Sequence, residues 1–245
     1  MKSVHDNLVS IVIGNEPEQE FLRQLAQHCG LAINVNARNK LMMREGILQL
    51  VSSGQSNIRP LAVDFSRKRR GISRKDLISR AIGRSSRTVI DATAGLGKDS
   101  IHLASLGYQV TCVERCPAIA ALLLDAKRRL GEESNKYLDV VFGDGCETLL
   151  KLKADTVYLD PMFPPSGKSA IPRQTLRTIR SLAGDDLDVM QLFEVAQQRF
   201  HRVVVKRPDR MKPLQEPIHH RVQGRTVNYD VYINNHLEQS DDSTD

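Results

Sequence analysis

From Arg87 onward, short apolar runs alternate with amphipathic stretches. "RTVIDAT" and "YQVTCVE" read as buried strands, and "YLDVVFGD", "DTVYLD" and "HRVVVKRP" follow them. Between these runs lie "GKDSIHLASLG", with Gly107 where a helix is expected to end, and "CPAIAALLLDAKRRLG", with Pro117 placed for a first helical turn. A later helix, over about 185–200, sets Leu187, Met190, Phe193, Ala196 and Phe200 along one face as core residues. Such alternation predicts a parallel sheet with crossover helices, a doubly wound α/β fold.

Both ends depart from that pattern. "HHRVQGR" and "TVNYDVYIN" stand too close together for a crossover helix, so they predict an antiparallel C-terminal hairpin at the edge of a mostly parallel sheet. Before Arg87, "VSIVIG", "LAINVN", "GILQLV" and "PLAVDF" are short strand candidates around one clear helix, "EQEFLRQLAQHCG". The expected organisation is a small N-terminal α/β subdomain over 1–65 and a basic linker with a short helix, "RKDLISRAIG", over 66–86. The main domain then covers 87–236 and an acidic, disordered tail 237–245.

Composition narrows the function classes. The chain has 245 residues, 40% of them hydrophobic, enough for one sizeable domain with an appendage. No run approaches the ~20 apolar residues of a membrane helix, and the start turns acidic too soon for a signal peptide, so a cytoplasmic protein is expected. Cys29, Cys112, Cys116 and Cys146 show no CxxC spacing and no clustering with histidine, so neither a disulfide framework nor a metal site is expected.

The formal charge is +6, unevenly spread, because the tail "EQSDDSTD" holds four acids and no base. Six of the nine residues in "RKRRGISRK" are basic, Arg67, Lys68, Arg69 and Arg70 among them. Lys168 belongs to a second basic stretch, which holds no acid, and Lys206 and Arg207 to a third, with eight bases against two acids over 199–225. Any one cluster is ordinarily a solvated face. Three in one chain point toward a polyanion, since each cation set against a phosphate releases a counterion.

"DATAGLGKDS" follows a strand and opens a helix, which makes Asp91, Gly95 and Gly97 candidates for lining a cofactor pocket. Glu114 ends the next strand, where an acid can accept hydrogen bonds from ribose hydroxyls. A dinucleotide would need a third glycine where Ser100 stands. A ligand with a sulfonium and an ammonium group and no phosphate suits Asp91 and Asp99 better, and Asp144 is placed to accept from an adenine amine. S-adenosylmethionine fits this set better than NAD does.

"VYLDPMFPPSGKS" ends its strand in an acid, prolines and an aromatic. An exocyclic amine on a purine is a poor nucleophile because its lone pair is delocalised into the ring. The Asp160 carboxylate and the Pro161 carbonyl would hold its two N–H groups and turn that lone pair toward a methyl donor, with Phe163 as a stacking face. The plain alternative is a proline-rich turn over core residues.

"DATAGLGKDS", "VERCPAIAALLLDAKRRL", "VYLDPMFP", "RSLAGDDLD" and "VVVKRP" together resemble the RsmJ family of bacterial 16S ribosomal RNA guanine-N2 methyltransferases. The resemblance spans about residues 60–233. It implies a class I (Rossmann-like) methyltransferase sheet, S-adenosylmethionine as cofactor, and as substrate a guanosine near the 3′ end of 16S ribosomal RNA or of the small subunit. It also implies cofactor contacts at Lys98, Asp99, Glu114, Arg115, Asp144, Gly145 and Asp160. Two other readings stay open: a methyltransferase acting on adenine N6 or on a protein amide, and a non-catalytic RNA-binding protein.

Overall fold

The computed structural model describes residues 9–52, 59–66, 76–161, 182 and 188–237. The N-terminal part comprises β1 (Val9–Val12), α1 (Gln19–Cys29), β2 (Ala32–Ile33), β3 (Asn39–Arg44) and β4 (Ile47–Ser52). They form a sheet of order β2-β1-β3-β4, parallel except for the β3–β4 hairpin. β3, "NKLMMR", was not among the expected strands. Its alternation is nonetheless plain, with Leu41 and Met43 inward. "PLAVDF" is not a strand and contributes one bridge, Leu61 to Leu50. The Asp64 carboxylate accepts from the Ser66 backbone N–H at 2.9 Å, which turns the chain there.

The main sheet follows α2 (Leu77–Ile82) and takes β5 (Thr88–Asp91), α3 (Lys98–Ser105), β6 (Gln109–Glu114), α4 (Pro117–Arg128), α5 (Glu132–Asn135) and β7 (Leu138–Phe142). Next come α6 (Gly145–Leu149), β8 (Thr156–Leu159), α7 (Val189–Arg199), β9 (Arg202–Pro208), β10 (His220–Gln223) and β11 (Val227–Ile233). The strand order is β10-β11-β9-β8-β5-β6-β7. β11 alone runs against the others, wedged between β9 and β10, so the reversed strand of the C-terminal hairpin is not the edge strand.

α4 holds the two sheets together. Its stretch "AIAALLLDA" has almost no polar face, the mark of a helix covered on both sides. Ala118 to Leu123 are all buried, against β7 on one side and against α1 and β4 on the other. One core therefore runs from Ile11 and Leu48 through Ile119 and Leu122 to Val110 and Tyr158. Asp125, fully buried in this helix, accepts from the Leu48 backbone N–H at 3.0 Å and pairs with Arg128 at 2.8 Å and Arg129 at 2.9 Å. The second face of the main sheet packs on α7 through Phe193, Ala196 and Phe200. Met190, expected in that core, is 42% exposed, and Leu192 fills the inward position.

Among the described residues, no helix is long and apolar enough to cross a membrane, and no group of side chains could hold a metal ion.

Candidate active site

β5 has β6 on one side and β8 on the other, and the chain leaves β5 toward β6 but leaves β8 in the opposite direction, toward β9. A crevice opens at the carboxyl ends of strands at such a switch point. Strand alternation selects what faces it. Asp91, Tyr158 and Val204 lie in one row across β5, β8 and β9, so Asp160 and Lys206, two residues further along, point to the same face. α3 covers that face and brings Asp99 and Ser100 onto it.

Asp91 is buried, and its carboxylate accepts from Ser100 Oγ at 2.5 Å and from the Thr93 backbone N–H at 3.2 Å. Burial is the main cause that pushes its carboxyl up to about 7. Asp99 Oδ2 accepts from Tyr158 Oη at 2.7 Å and from Lys206 Nζ at 2.6 Å. The same ammonium donates to Asp160 Oδ2 at 2.8 Å. Burial works against the Lys206 charge, yet the Asp160 and Asp99 carboxylates outweigh it and hold the group above the usual lysine value. The backbone N–H of Asp160 donates to Thr93 Oγ1 at 2.6 Å. The acid of the proline mouth is thus tied to the glycine loop through its backbone and to α3 through Lys206.

Glu114 is buried and ties the loop to β6: Oε2 accepts from the Gly95 N–H at 2.9 Å and Oε1 from the Cys116 N–H at 2.7 Å. The two glycines differ. A Cβ on Gly95 would meet only the Thr93 carbonyl, at 4.0 Å, so its surroundings are open. On Gly97 it would strike Leu123 at 2.8 Å and Phe65 at 2.9 Å, so the Cβ side of Gly97 is taken up by core packing.

Asp144 caps α6, accepting from the Glu147 N–H at 3.1 Å, and Gly145 lies tight against Leu192 and the Ala92 carbonyl. Arg115 pairs with Asp188 at 2.6 Å, and Lys98 is exposed at the start of α3. Pro161 is buried. Phe163, Arg67, Lys68, Arg69, Arg70 and Lys168 lie outside the described residues.

Two expected RNA contacts sit elsewhere. The Lys206 side chain is 20% exposed and belongs to the acid cluster. Arg207 is 2% exposed, its Nε paired with the fully buried Asp230 and its Nη1 with the carbonyls of Pro208, Asp209 and Met211. Both belong to the folded scaffold around the site rather than to an open basic face. Thr93, Ser100 and Tyr158 were not among the candidates. The signal for Tyr158 was its place two residues before Asp160, on the same face of a strand.

A sheet of this order, with acids at the ends of β5, β6 and β8 and an open glycine turn, defines a methyltransferase that uses S-adenosylmethionine. A family of SAM-dependent methyltransferases matches the chain over residues 24–234. The solved structure of a SAM-dependent methyltransferase from Neisseria gonorrhoeae superposes with a TM-score of 0.72 at 31% identity, covering 91% of this chain and 95% of that one. Ribosomal RNA small subunit methyltransferase J of Chromohalobacter salexigens is 38% identical over 245 residues, 89% of this chain and 96% of its own length. Its counterpart in Pseudomonas aeruginosa is 36% identical over 234 residues, 87% and 90% of the two chains. The chain belongs to the ribosomal RNA small subunit methyltransferase J family. Its cofactor is S-adenosylmethionine, and the residues present fit that group: Gly95 leaves open space, and Asp91, Asp99 and Glu114 supply acids for a cationic ligand bearing a ribose.

Proposed function

We propose that the chain methylates the exocyclic N2 amine of a guanosine near the 3′ end of 16S ribosomal RNA, in the cytoplasm, on RNA or on the small subunit. The observation that carries this reading is the fixed Asp160, held by Thr93 through its backbone and by Lys206 through its carboxylate, beside the acids of the cofactor crevice. The names of the relatives favour ribosomal RNA. A basic rim favours it too: Lys98, Arg210, Lys212 and Arg225 are exposed at the carboxyl-end side of the sheet and take the place of Lys206 and Arg207 as phosphate contacts.

Bound S-adenosylmethionine supplies a methyl carbon on a sulfonium, open to in-line attack by an amine. Asp160 and the Pro161 carbonyl accept the two N–H bonds of that amine, which turns the nitrogen lone pair out of conjugation and toward the methyl group. Asp160 then takes the proton that the methylated amine gives up and passes it to water. Glu114 and Asp144 hold the nucleoside part of the cofactor, and Asp91 and Asp99 face its positive charges.

The test is transfer of labelled methyl to small-subunit RNA from cells lacking the protein, followed by nucleoside analysis. N2-methylguanosine is expected, and Asp160→Ala is expected to lose more than 90% of the rate, over about 1.4 kcal/mol of barrier. A label on adenosine, or on protein in intact subunits, would overturn the reading.

A further inference from the structure

The mechanism above leaves Lys206 with a third N–H. Its ammonium has three donors, of which Asp99 takes one at 2.6 Å and Asp160 another at 2.8 Å. The side chain enters from the row of β9 beside Asp160, and it is 20% exposed where the Asp160 carboxylate is 38% exposed. The two groups therefore present a short polar row at the crevice: two carboxylate oxygens, then an ammonium donor one hydrogen bond away. The row is held from behind, because Tyr158 Oη fixes the Asp99 oxygen that anchors the ammonium.

A base lifted out of its stack is read along its Watson–Crick edge. Guanine presents the N2 amine, N1–H and O6 there, in the order donor, donor, acceptor. Adenine presents an acceptor at N1 and a donor at N6. A carboxylate followed by an ammonium complements the first order and opposes the second. The geometry points to Lys206 as a specificity residue that donates to guanine O6 while Asp160 accepts from N1–H and N2–H. The inference rests on the guanine-N2 reading and adds to it the group that recognises O6. A lysine with this role needs its position fixed and its charge kept, and the two carboxylates supply both.

The test compares small subunits reconstituted with RNA that carries guanosine or 2,6-diaminopurine at the methylated position. The analogue keeps the accepting amine but replaces O6 by an amine and N1–H by a lone pair. Rates are read at pH 8.5 in single turnover, with wild type, Lys206→Met, Lys206→Gln and Lys206→Arg, and folding is checked by the thermal shift that S-adenosylmethionine gives each. Lys206→Met also removes a support of Asp160, so both bases should slow, but guanosine at least about fivefold more than the analogue, and the preference for guanosine shrinks by that factor. Lys206→Gln, which keeps a neutral N–H, should fall between, and Lys206→Arg should retain the preference. Equal losses on both bases would make Lys206 a mere support for Asp160. A loss seen as weaker RNA binding with a shallower salt dependence would make it a phosphate contact. Either result overturns the inference, as does no loss at all. Full activity in Asp160→Ala, or a product other than N2-methylguanosine, would instead strike the underlying reading, whatever Lys206→Met does.

Discussion

Thr93 Oγ1 accepts the backbone N–H of Asp160 at 2.6 Å, so the loop after β5 and the mouth after β8 are joined by one side chain. Thr93 also leads into the turn of Gly95, the candidate wall of the cofactor crevice. Thr93→Val keeps the shape and removes the acceptor, leaving a half-buried N–H without its partner, at a cost of about 1 to 3 kcal/mol. The expected result is a turnover number lowered about fivefold or more, with the Michaelis constant for S-adenosylmethionine nearly unchanged. Steady-state methyl transfer with varied cofactor measures both.

Arg207 and Asp230 make a different prediction. Asp230 is fully buried and also accepts from Arg221 at 2.6 Å, so removing Arg207 leaves the carboxylate only half-compensated. Arg207→Ala is expected to lower stability by about 3 kcal/mol, the loss typical of a broken buried pair. The urea midpoint should fall at constant slope, while the salt dependence of RNA binding stays as in the wild type. A phosphate contact would show the reverse.

These two arginine and lysine positions mark where the sequence was hard to read. The main sheet was legible because its central strands are buried on both faces and so appear as unbroken apolar runs, "VVV" in β9 and "TVYL" in β8. Charged residues that follow such a run look like the surface. Here alternation carries Lys206 onto the Val204 face, where the half-buried Asp99 and Asp160 receive it, and Arg207 onto the Val203 and Val205 face, where the fully buried Asp230 does. Those acids come from α3, β8 and β11, far apart in the chain, and no spacing rule links them. Asp160, Glu114 and Asp91 were legible because an acid that ends an apolar strand stands out locally. Thr93 and Ser100 were not, because a hydroxyl in a turn is ordinary and only the fold shows what it touches.

Asp91 should make stability depend on pH. Burial raises its carboxyl from an ordinary 3.8 to about 7, so between those values the folded chain keeps a proton that the unfolded chain has lost. Its contribution is therefore fully present below about pH 4 and is lost as the pH rises through about 7. Asp91→Asn should remove that part of the slope, read from urea midpoints between pH 4 and pH 8 without cofactor. The positive charges of S-adenosylmethionine favour the ionised acid, so binding near pH 6.5 should release a fraction of a proton. Calorimetry in buffers of different ionisation enthalpy measures it, and Asp91→Asn should abolish it.

Gly95 and Gly97 share one loop and one sign of φ, +52° and +67°, yet an added methyl group should act on them in opposite ways. In both, alanine carries the backbone cost of a left-handed residue, about 1 to 2 kcal/mol. At Gly97 the new carbon would also lie 2.8 Å from Leu123 and 2.9 Å from Phe65, both in the core that α4 shares with the N-terminal part. Overpacking of that kind adds about 1 to 3 kcal/mol. Gly97→Ala should therefore lower stability by about 2 to 5 kcal/mol, with cofactor affinity per folded molecule little changed. At Gly95 nothing but a carbonyl at 4.0 Å stands near the new carbon, so the stability loss should stop at the backbone cost. That open space leaves room for a ligand, and the Gly95 N–H orients Glu114 from the loop side. Gly95→Ala should raise the dissociation constant for S-adenosylmethionine about tenfold or more. Denaturation and cofactor titration of the two variants side by side decide it. A tighter effect of Gly97→Ala on cofactor binding than of Gly95→Ala would mean that the ligand reaches the loop from the α4 side.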